Sequence, residues 1–364
     1  MIDDRTRIIY VVGAAGRTGM LFCRELQNAA RMIGVAFSAE IENIKSGKAK
    51  IARGKNPPEI FAAELVPPED FGAAIVRNAP DFLWLAARNP VDKITAFYYR
   101  HFANQQNFPA LVLSQNGLSA VADAKKGLQE ALGQDADKVA IVRVSLINGV
   151  DLNTDGDGTL TIGYKLPIKL GFGTVKTYIG DTYASSSASL GLGEIFKKAG
   201  VKAQEFRGKD VLAMENAKLF LNLIGMAVAT AQGSGEPTAA VENTDVGAGW
   251  RDKEIFKKEM AMLREFVLAA NAARGGFAAK LGGYPVKLLA RLALLPVWLL
   301  LPWRGLLANI VAKGRNRPKD LSEIDYYNGE AVRLGKKANV PMPANEAIVA
   351  EARKHKSKIQ NPKS

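Results

Sequence analysis

The feature that most constrains this chain is a short apolar run that stops at a glycine. Ile8-Ile-Tyr-Val-Val12 is β-branched and apolar, and Gly13-Ala14-Ala15-Gly16-Arg17-Thr18-Gly19 follows at once. A run that is apolar on both faces suits a buried parallel strand. Met20 to Ala30 then repeats its apolar residues at helical spacing. Glycines between a strand and a helix let the backbone approach a pyrophosphate, and the helix N-terminus supplies amide donors and a positive dipole end. Ala15 takes the second glycine position of the usual spacing, so the motif alone reads equally as a tight strand-to-helix turn. With both flanking elements present, it reads as a dinucleotide-binding unit formed by Gly13, Ala15, Gly16, Arg17, Thr18 and Gly19.

Ile33-Gly-Val-Ala-Phe37 reads as the second strand. An acidic residue at its end would bind a ribose 2′-hydroxyl. Ser38 stands there instead, with Glu40 two positions on, while Arg17 and Arg88 supply cations for a 2′-phosphate. The balance favours NADPH, with NADH left open.

Further strands are expected at Phe82–Ala86, at Leu111–Leu113 running into Ser114-Gln115-Asn116-Gly117, and at Val139–Val144. Strands separated by helix-length segments imply an α/β, Rossmann-type doubly wound sheet. Asp151 to Gly180 turns to glycine-rich hairpins. From about Lys209 the pattern is helical, over Glu215–Thr230, Lys253–Ala273 and Asp320–Ala338. The expected division is a nucleotide-binding domain over 1–208 and an all-α substrate and dimerisation domain over 209–364.

Only two histidines, His101 and His355, and one cysteine, Cys23, occur in 364 residues. A His-rich zinc site and a Cys–His nucleophile pair are improbable, so acid–base work falls to Lys, Glu, Asp or Tyr. Asp151-Leu-Asn153-Thr-Asp155-Gly-Asp157-Gly158 looks like the start of a calcium loop, but Ile162 stands at its twelfth position, where a bidentate carboxylate is needed. A hairpin turn is the better reading, and no metal is expected. The lone cysteine and the lack of a visible secretory signal suit a reducing, cytoplasmic setting.

The second half carries a family resemblance. Glu215-Asn-Ala-Lys218-Leu-Phe-Leu-Asn222-Leu-Ile-Gly225 resembles the first interdomain helix of ketopantoate reductases (2-dehydropantoate 2-reductases). Ser322-Glu323-Ile-Asp-Tyr-Tyr-Asn328-Gly329-Glu330 and Val340-Pro-Met-Pro343-Ala-Asn345-Glu resemble later elements of that family, and Leu113-Ser-Gln-Asn116-Gly117 its strand-end Asn-Gly. The resemblance runs in order from Ile8 to about Arg353. It implies hydride transfer from NADPH to a 2-keto acid, as in the ketopantoate step of pantothenate biosynthesis. It implies Lys218 as general acid, Asn222 and Glu323 as substrate contacts, Asn116 near both nicotinamide and substrate, and Arg88 at the 2′-phosphate. Those residue types suit the reaction, because hydride addition builds negative charge on a ketone oxygen that an ammonium stabilises and protonates. Lys218 and Asn222 are four apart and share a helical face. Structural readings stand beside these: Lys218 as a snorkelling surface lysine, Asn222 as an interhelical polar contact, and Glu323 closing a capping box from Asp320.

Two departures qualify the substrate. Met226 stands where family members often have a second asparagine one turn beyond Asn222, and the serine expected shortly before the Glu-Ile-Asp element is replaced by an Arg/Lys-rich segment. A less polar substrate end than that of ketopantoate is compatible with both.

That segment is unusual in itself. No Asp or Glu occurs between Glu265 and Asp320, where nine cations stand: Arg274, Lys280, Lys287, Arg291, Arg304, Lys313, Arg315, Arg317 and Lys319. The insert, about 284–319, also holds Trp298 and Trp303 in a leucine-rich run broken by Pro296 and Pro302. Twelve residues between Arg291 and Arg304 are too few for a bilayer span, which takes about 20. An interfacial segment on an anionic membrane, a homodimer contact and a lid over the substrate all remain open. Leucine and tryptophan runs argue against nucleic acid. The competing reading of the whole chain is a non-catalytic, membrane-associated dinucleotide sensor. A short-chain dehydrogenase would need a Tyr-x-x-x-Lys pair that is not suitably placed.

Overall fold

The computed structural model describes residues 6–175, 183–232, 240–241, 245–315 and 319–360. The end of the expected hairpin stretch, residues 176–180, and Arg317 lie outside them. The chain divides into two compact units: Met1–Gln115 with Ala120–Val211, and Asn116–Ser119 with Leu212–Ser364.

The first unit runs β1 (Ile8–Val12), α1 (Arg17–Leu26), β2 (Arg31–Val35), α2 (Ser38–Lys45), β3 (Ala49–Arg53), β4 (Glu59–Ile60), β5 (Glu64–Val66), α3 (Phe71–Arg77), β6 (Phe82–Leu85), α4 (Asp92–Tyr99), β7 (Ala110–Leu113), α5 (Ala120–Leu132), β8 (Ile141–Leu146), β9 (Val150–Thr154), β10 (Leu160–Tyr164), β11 (Lys169–Thr174), α6 (Tyr183–Lys198) and β12 (Lys202–Glu205). Eight strands form the main sheet in the order β12-β11-β8-β7-β6-β1-β2-β5. All neighbours are parallel except β8 and β11. Strand order reverses between β1 and β6, which is where open α/β sheets place their ligands. The expected doubly wound sheet is therefore present.

Alternation along the strands feeds two cores. Ile9, Val11, Trp84 and Val112 pack with Phe22 and Leu26 on one face. Tyr10, Val12, Leu83 and Leu85 pack with Phe71, Tyr98 and Tyr99 on the other. Each such side chain contributes roughly 1.5–3 kcal/mol of burial.

Two strand boundaries shift from expectation. The second strand ends at Val35, and Phe37 is the N-cap of α2. The strand expected at Val139–Val144 is Ile141–Leu146. The Asp151–Gly158 stretch is the β9–β10 hairpin, paired antiparallel, in which Asp157 accepts hydrogen bonds from Thr159 N and Oγ1 at 2.9 and 3.0 Å. The hairpin joins β3 and β4 in a second, four-stranded sheet. There Glu25 of α1 accepts from Arg53 Nε at 2.6 Å and from the Tyr164 hydroxyl at 2.8 Å.

In the second unit α7 (Asp210–Leu223), α8 (Met226–Gln232), β13 (Ala240–Val241), α9 (Val246–Arg251), α10 (Lys253–Ala272), α11 (Val286–Ala293), α12 (Val297–Leu300), α13 (Arg304–Arg315), β14 (Lys319–Asp320), α14 (Asn328–Ala338) and α15 (Pro343–Gln360) follow in turn. The single helix expected over Glu215–Thr230 is broken at Ile224-Gly225, where Gly225 has φ +93°. The break has a cause 34 residues on. Glu259 of α10, fully buried, takes the Gly225 and Ala227 amides, the latter at 2.9 Å. Those amides would otherwise be orphans at the start of α8. The helix expected over Asp320–Ala338 begins as a 3₁₀ segment, Leu321–Tyr326, before α14.

Candidate functional site

Within the first unit the glycine loop is built for a close backbone approach. Gly13 has φ +81°, and a Cβ there would stand 3.2 Å from Ala87 N at the end of β6. A Cβ on Gly19 would collide with the Gly13 carbonyl, so only glycine lets α1 sit this close to the loop. Gly16 is the N-cap of α1 and brings no side chain to its first amides. The N-cap therefore makes no side-chain hydrogen bond to the amides of Arg17, Thr18 and Gly19, the groups that bind an anion at a helix start. Ala15, Arg17 and Thr18 are partly buried, while Ser38 and Arg88 are exposed. The Ser38 hydroxyl donates to Glu69 at 3.2 Å. Glu40 accepts from its own helix start, Phe37 N, at 2.9 Å and serves as a cap. The cradle and the uncapped helix end fit a dinucleotide pyrophosphate.

The strand ends beside this loop are pinned by a pair that sequence reasoning missed. Gln115 Nε2 donates to the Leu85 and Ala87 carbonyls at 2.8 and 3.0 Å. Arg143, buried on β8, donates to the carbonyls of Leu113 at 3.3 Å and Gln115 at 3.0 Å. An arginine inside a strand-forming run carries no sequence signal beyond its unexpected charge.

In the second unit three of the candidate residues meet. Asn222 on α7 donates from Nδ2 to Asn116 Oδ1 at 3.2 Å. Asn116 Nδ2 in turn donates to Glu323 Oε2 and to the Tyr327 hydroxyl, both at 3.1 Å. The Tyr327 hydroxyl closes the triangle by donating to the same Glu323 oxygen at 2.7 Å. Two features hold Asn116 in place. The Ser119 amide donates to Glu330 Oε1 at 3.1 Å. Gly117, at φ +90°, lies where a Cβ would be 3.1 Å from the Tyr326 carbonyl.

Lys218 lies one turn before Asn222 on α7 and is half-buried. Buried Lys319 donates from Nζ to the Asn222 carbonyl at 3.0 Å, so the last cation of the insert caps the end of α7. Met226 opens α8 beyond the break and is fully buried.

Glu259 sits in the same region. Burial raises its carboxyl to about 7, while its two amide hydrogen bonds and nearby Lys319 pull the other way. Sequence reasoning missed Tyr327, Lys319 and Glu259. Only Tyr327 had a readable signal, since it lies four residues after Glu323 in the Glu-Ile-Asp-Tyr-Tyr element. Asn328 and Asn345, quoted for the same resemblance, turn out to be buried scaffold. Asn328 donates to Asn345 Oδ1 at 3.0 Å, and Asn345 donates to the Met262 carbonyl and to Glu265.

Known proteins bear on this geometry. Residues 316–356 match the family model described as the C-terminal part of ketopantoate reductase PanE/ApbA. A PanE/ApbA family ketopantoate reductase from Ralstonia eutropha JMP134 superposes with a TM-score of 0.64 at 18% identity, covering 97% of this chain and 99% of that one. The chain has the ketopantoate reductase fold. The resemblance read from the Ser322–Glu330 element is borne out by that family model. The 2-dehydropantoate 2-reductase of Geobacter metallireducens GS-15 gives 0.61 at 16% identity, over 95% and 99% of the two chains. D-mandelate dehydrogenase, solved with NADH and anilino(oxo)acetate, gives 0.65 at 13% identity, over 97% and 99%. No curated protein matched the sequence.

Proposed function

We propose that the protein is an NAD(P)-dependent oxidoreductase acting on a CH–OH group, and that it reduces a 2-keto acid with NADPH. The observation that carries this reading is the Asn222–Asn116–Glu323–Tyr327 cluster, one helical turn from Lys218. The glycine cradle and the uncapped start of α1 would hold the pyrophosphate, with Arg17, Arg88 and Ser38 at the ribose end. When bound, the nicotinamide supplies a hydride to the keto carbon. Lys218 then has the task of giving a proton from Nζ to the oxygen, leaving a 2-hydroxy acid and a neutral amine that solvent recharges. Its ammonium also attracts the substrate carboxylate. Asn116 and Asn222 orient one another and offer amide groups to the substrate. Glu323, fixed by Tyr327, supplies an acceptor for a substrate hydroxyl.

Ketopantoate or a related acid with a less polar end is the proposed substrate. The family model over residues 316–356 supports the first, and the Arg/Lys-rich segment that stands in place of the expected serine is compatible with the second. NADPH consumption against a panel of 2-keto acids that includes ketopantoate tests the reading. Turnover with at least one is expected; none with any would overturn it.

A further inference from the structure

Helices α11 to α13 invert the usual arrangement of an amphipathic surface. Their inward positions are mostly small: Val286, Ala290 and Ala293 on α11, and Ala308 and Val311 on α13, with Leu300 of α12 the larger exception. Their outward positions are large and apolar. Trp298 is 69% exposed and Trp303 61%, joined by Leu295, Leu299, Leu306 and Ile310. Scattered exposed apolar residues are ordinary, but here two tryptophans and four aliphatic residues are exposed within sixteen positions, a density that calls for a covering partner.

The platform beneath them is firmly held. Gly247 of α9 admits α13 so closely that a Cβ there would lie 2.7 Å from that of Ala312. Arg251 donates to Asn309 Oδ1 at 2.9 Å, and Arg304 Nε to the Arg251 carbonyl at 3.1 Å. The patch is therefore a fixed face of the folded chain.

Charge decides what covers it. Lys287, Arg291 and Lys313 are exposed around the patch, and the sequence from 266 to 319 contains no carboxylate. A symmetric contact with a second copy would set these cations against their own kind with nothing in the segment to neutralise them. An anionic bilayer offers both an apolar depth for the tryptophans and phosphates for the lysines and arginines. Spanning does not suit the geometry, because α11 is bent by 118° against Val297–Lys313.

We propose that α11–α13 seat the protein on the surface of an anionic phospholipid bilayer. Trp298, Trp303 and the neighbouring leucines enter at headgroup depth, and Lys287, Arg291 and Lys313 meet the lipid phosphates. Indole rings favour that depth because one edge is apolar and the N–H stays wet. A reductase held there would meet substrates that partition into the interface.

The test is flotation of the full-length protein with phosphatidylcholine vesicles, with and without about 30% phosphatidylglycerol. Expected is flotation with anionic vesicles at about 50 mM salt, a loss of about tenfold at about 500 mM, and little binding to neutral vesicles. Lys287→Glu/Arg291→Glu and Trp298→Ala/Trp303→Ala should each lose about tenfold with unchanged melting temperature, since all four side chains are exposed. Trp84 and Trp250 are buried, so a blue shift of emission on adding anionic vesicles reports Trp298 and Trp303. Three results would overturn the proposal. The wild type could stay unbound at low salt. The variants could float like the wild type. Or sedimentation could show a dimer that the Trp298→Ala/Trp303→Ala variant dissociates while neither protein floats. None of these results depends on the chain's enzymatic activity.

Discussion

Asn222 donates a hydrogen bond to the side-chain carbonyl of Asn116, 3.2 Å away and 106 residues earlier in the chain. That bond fixes which way the Asn116 amide points, so its N–H groups face Glu323 and Tyr327. Asn222→Ala should free the amide to flip. The expected loss is about tenfold to a hundredfold in kcat/KM, with melting temperature nearly unchanged, because Asn222 is only half-buried. Steady-state kinetics beside thermal unfolding checks both.

Tyr327→Phe removes the 2.7 Å hydrogen bond to Glu323 and keeps the ring. A hydrogen bond to a charged acceptor contributes about 1.5–3 kcal/mol, so a loss of roughly tenfold or more in kcat/KM is expected. Binding of NADPH alone, measured by fluorescence, should be unaltered, since no cofactor role falls to this residue.

Glu259 gives the stability a pH dependence of unusual sign. Burial raises its carboxyl from an ordinary 4.5 to about 7. Between those values the folded state binds more protons than the unfolded chain, so this group's contribution falls as pH rises from about 4.5 to about 7. It is fully present below that window and lost above it, at a cost on the order of 3 kcal/mol. Comparing unfolding of the wild type and Glu259→Gln across pH 4.5–7 isolates it: the difference between the two should shrink steadily as pH rises. A difference independent of pH would show that Glu259 does not titrate there.

Arg143→Met keeps most of the stem but leaves the Leu113 and Gln115 carbonyls without their buried donor. A destabilisation of about 2–4 kcal/mol is expected in denaturant unfolding. Weaker NADPH binding should accompany it, because Gln115 is the link that ties β7 to the end of β6.

The glycine loop was the most legible part of the fold, because a buried strand, a φ above zero and a close helix start all constrain local residue choice. The doubly wound sheet follows from the alternation of elements, whereas the edge strands β5 and β12 and the antiparallel β11 carried no such signal. The helix break at Gly225 was not legible, since its cause is a carboxylate brought in from α10. Met226 looked like a lost polar contact on a continuous helix face; in the fold it is fully buried just past the break. The Asn-rich elements were recognisable as a pattern, but Asn328 and Asn345 carry buried packing, whereas Asn116 and Asn222 form the cluster. Spacing alone cannot separate those roles, because both need an amide in a partly dry place.

The proposed chemistry rests on Lys218. The most direct measurement is NADPH oxidation with the best 2-keto acid by the wild type and by Lys218→Ala, with NADPH affinity determined on the same samples. The variant should lose about a hundredfold to ten-thousandfold in kcat while binding NADPH as tightly as the wild type. A Lys218→Ala protein that turns over at the wild-type rate would contradict the assignment.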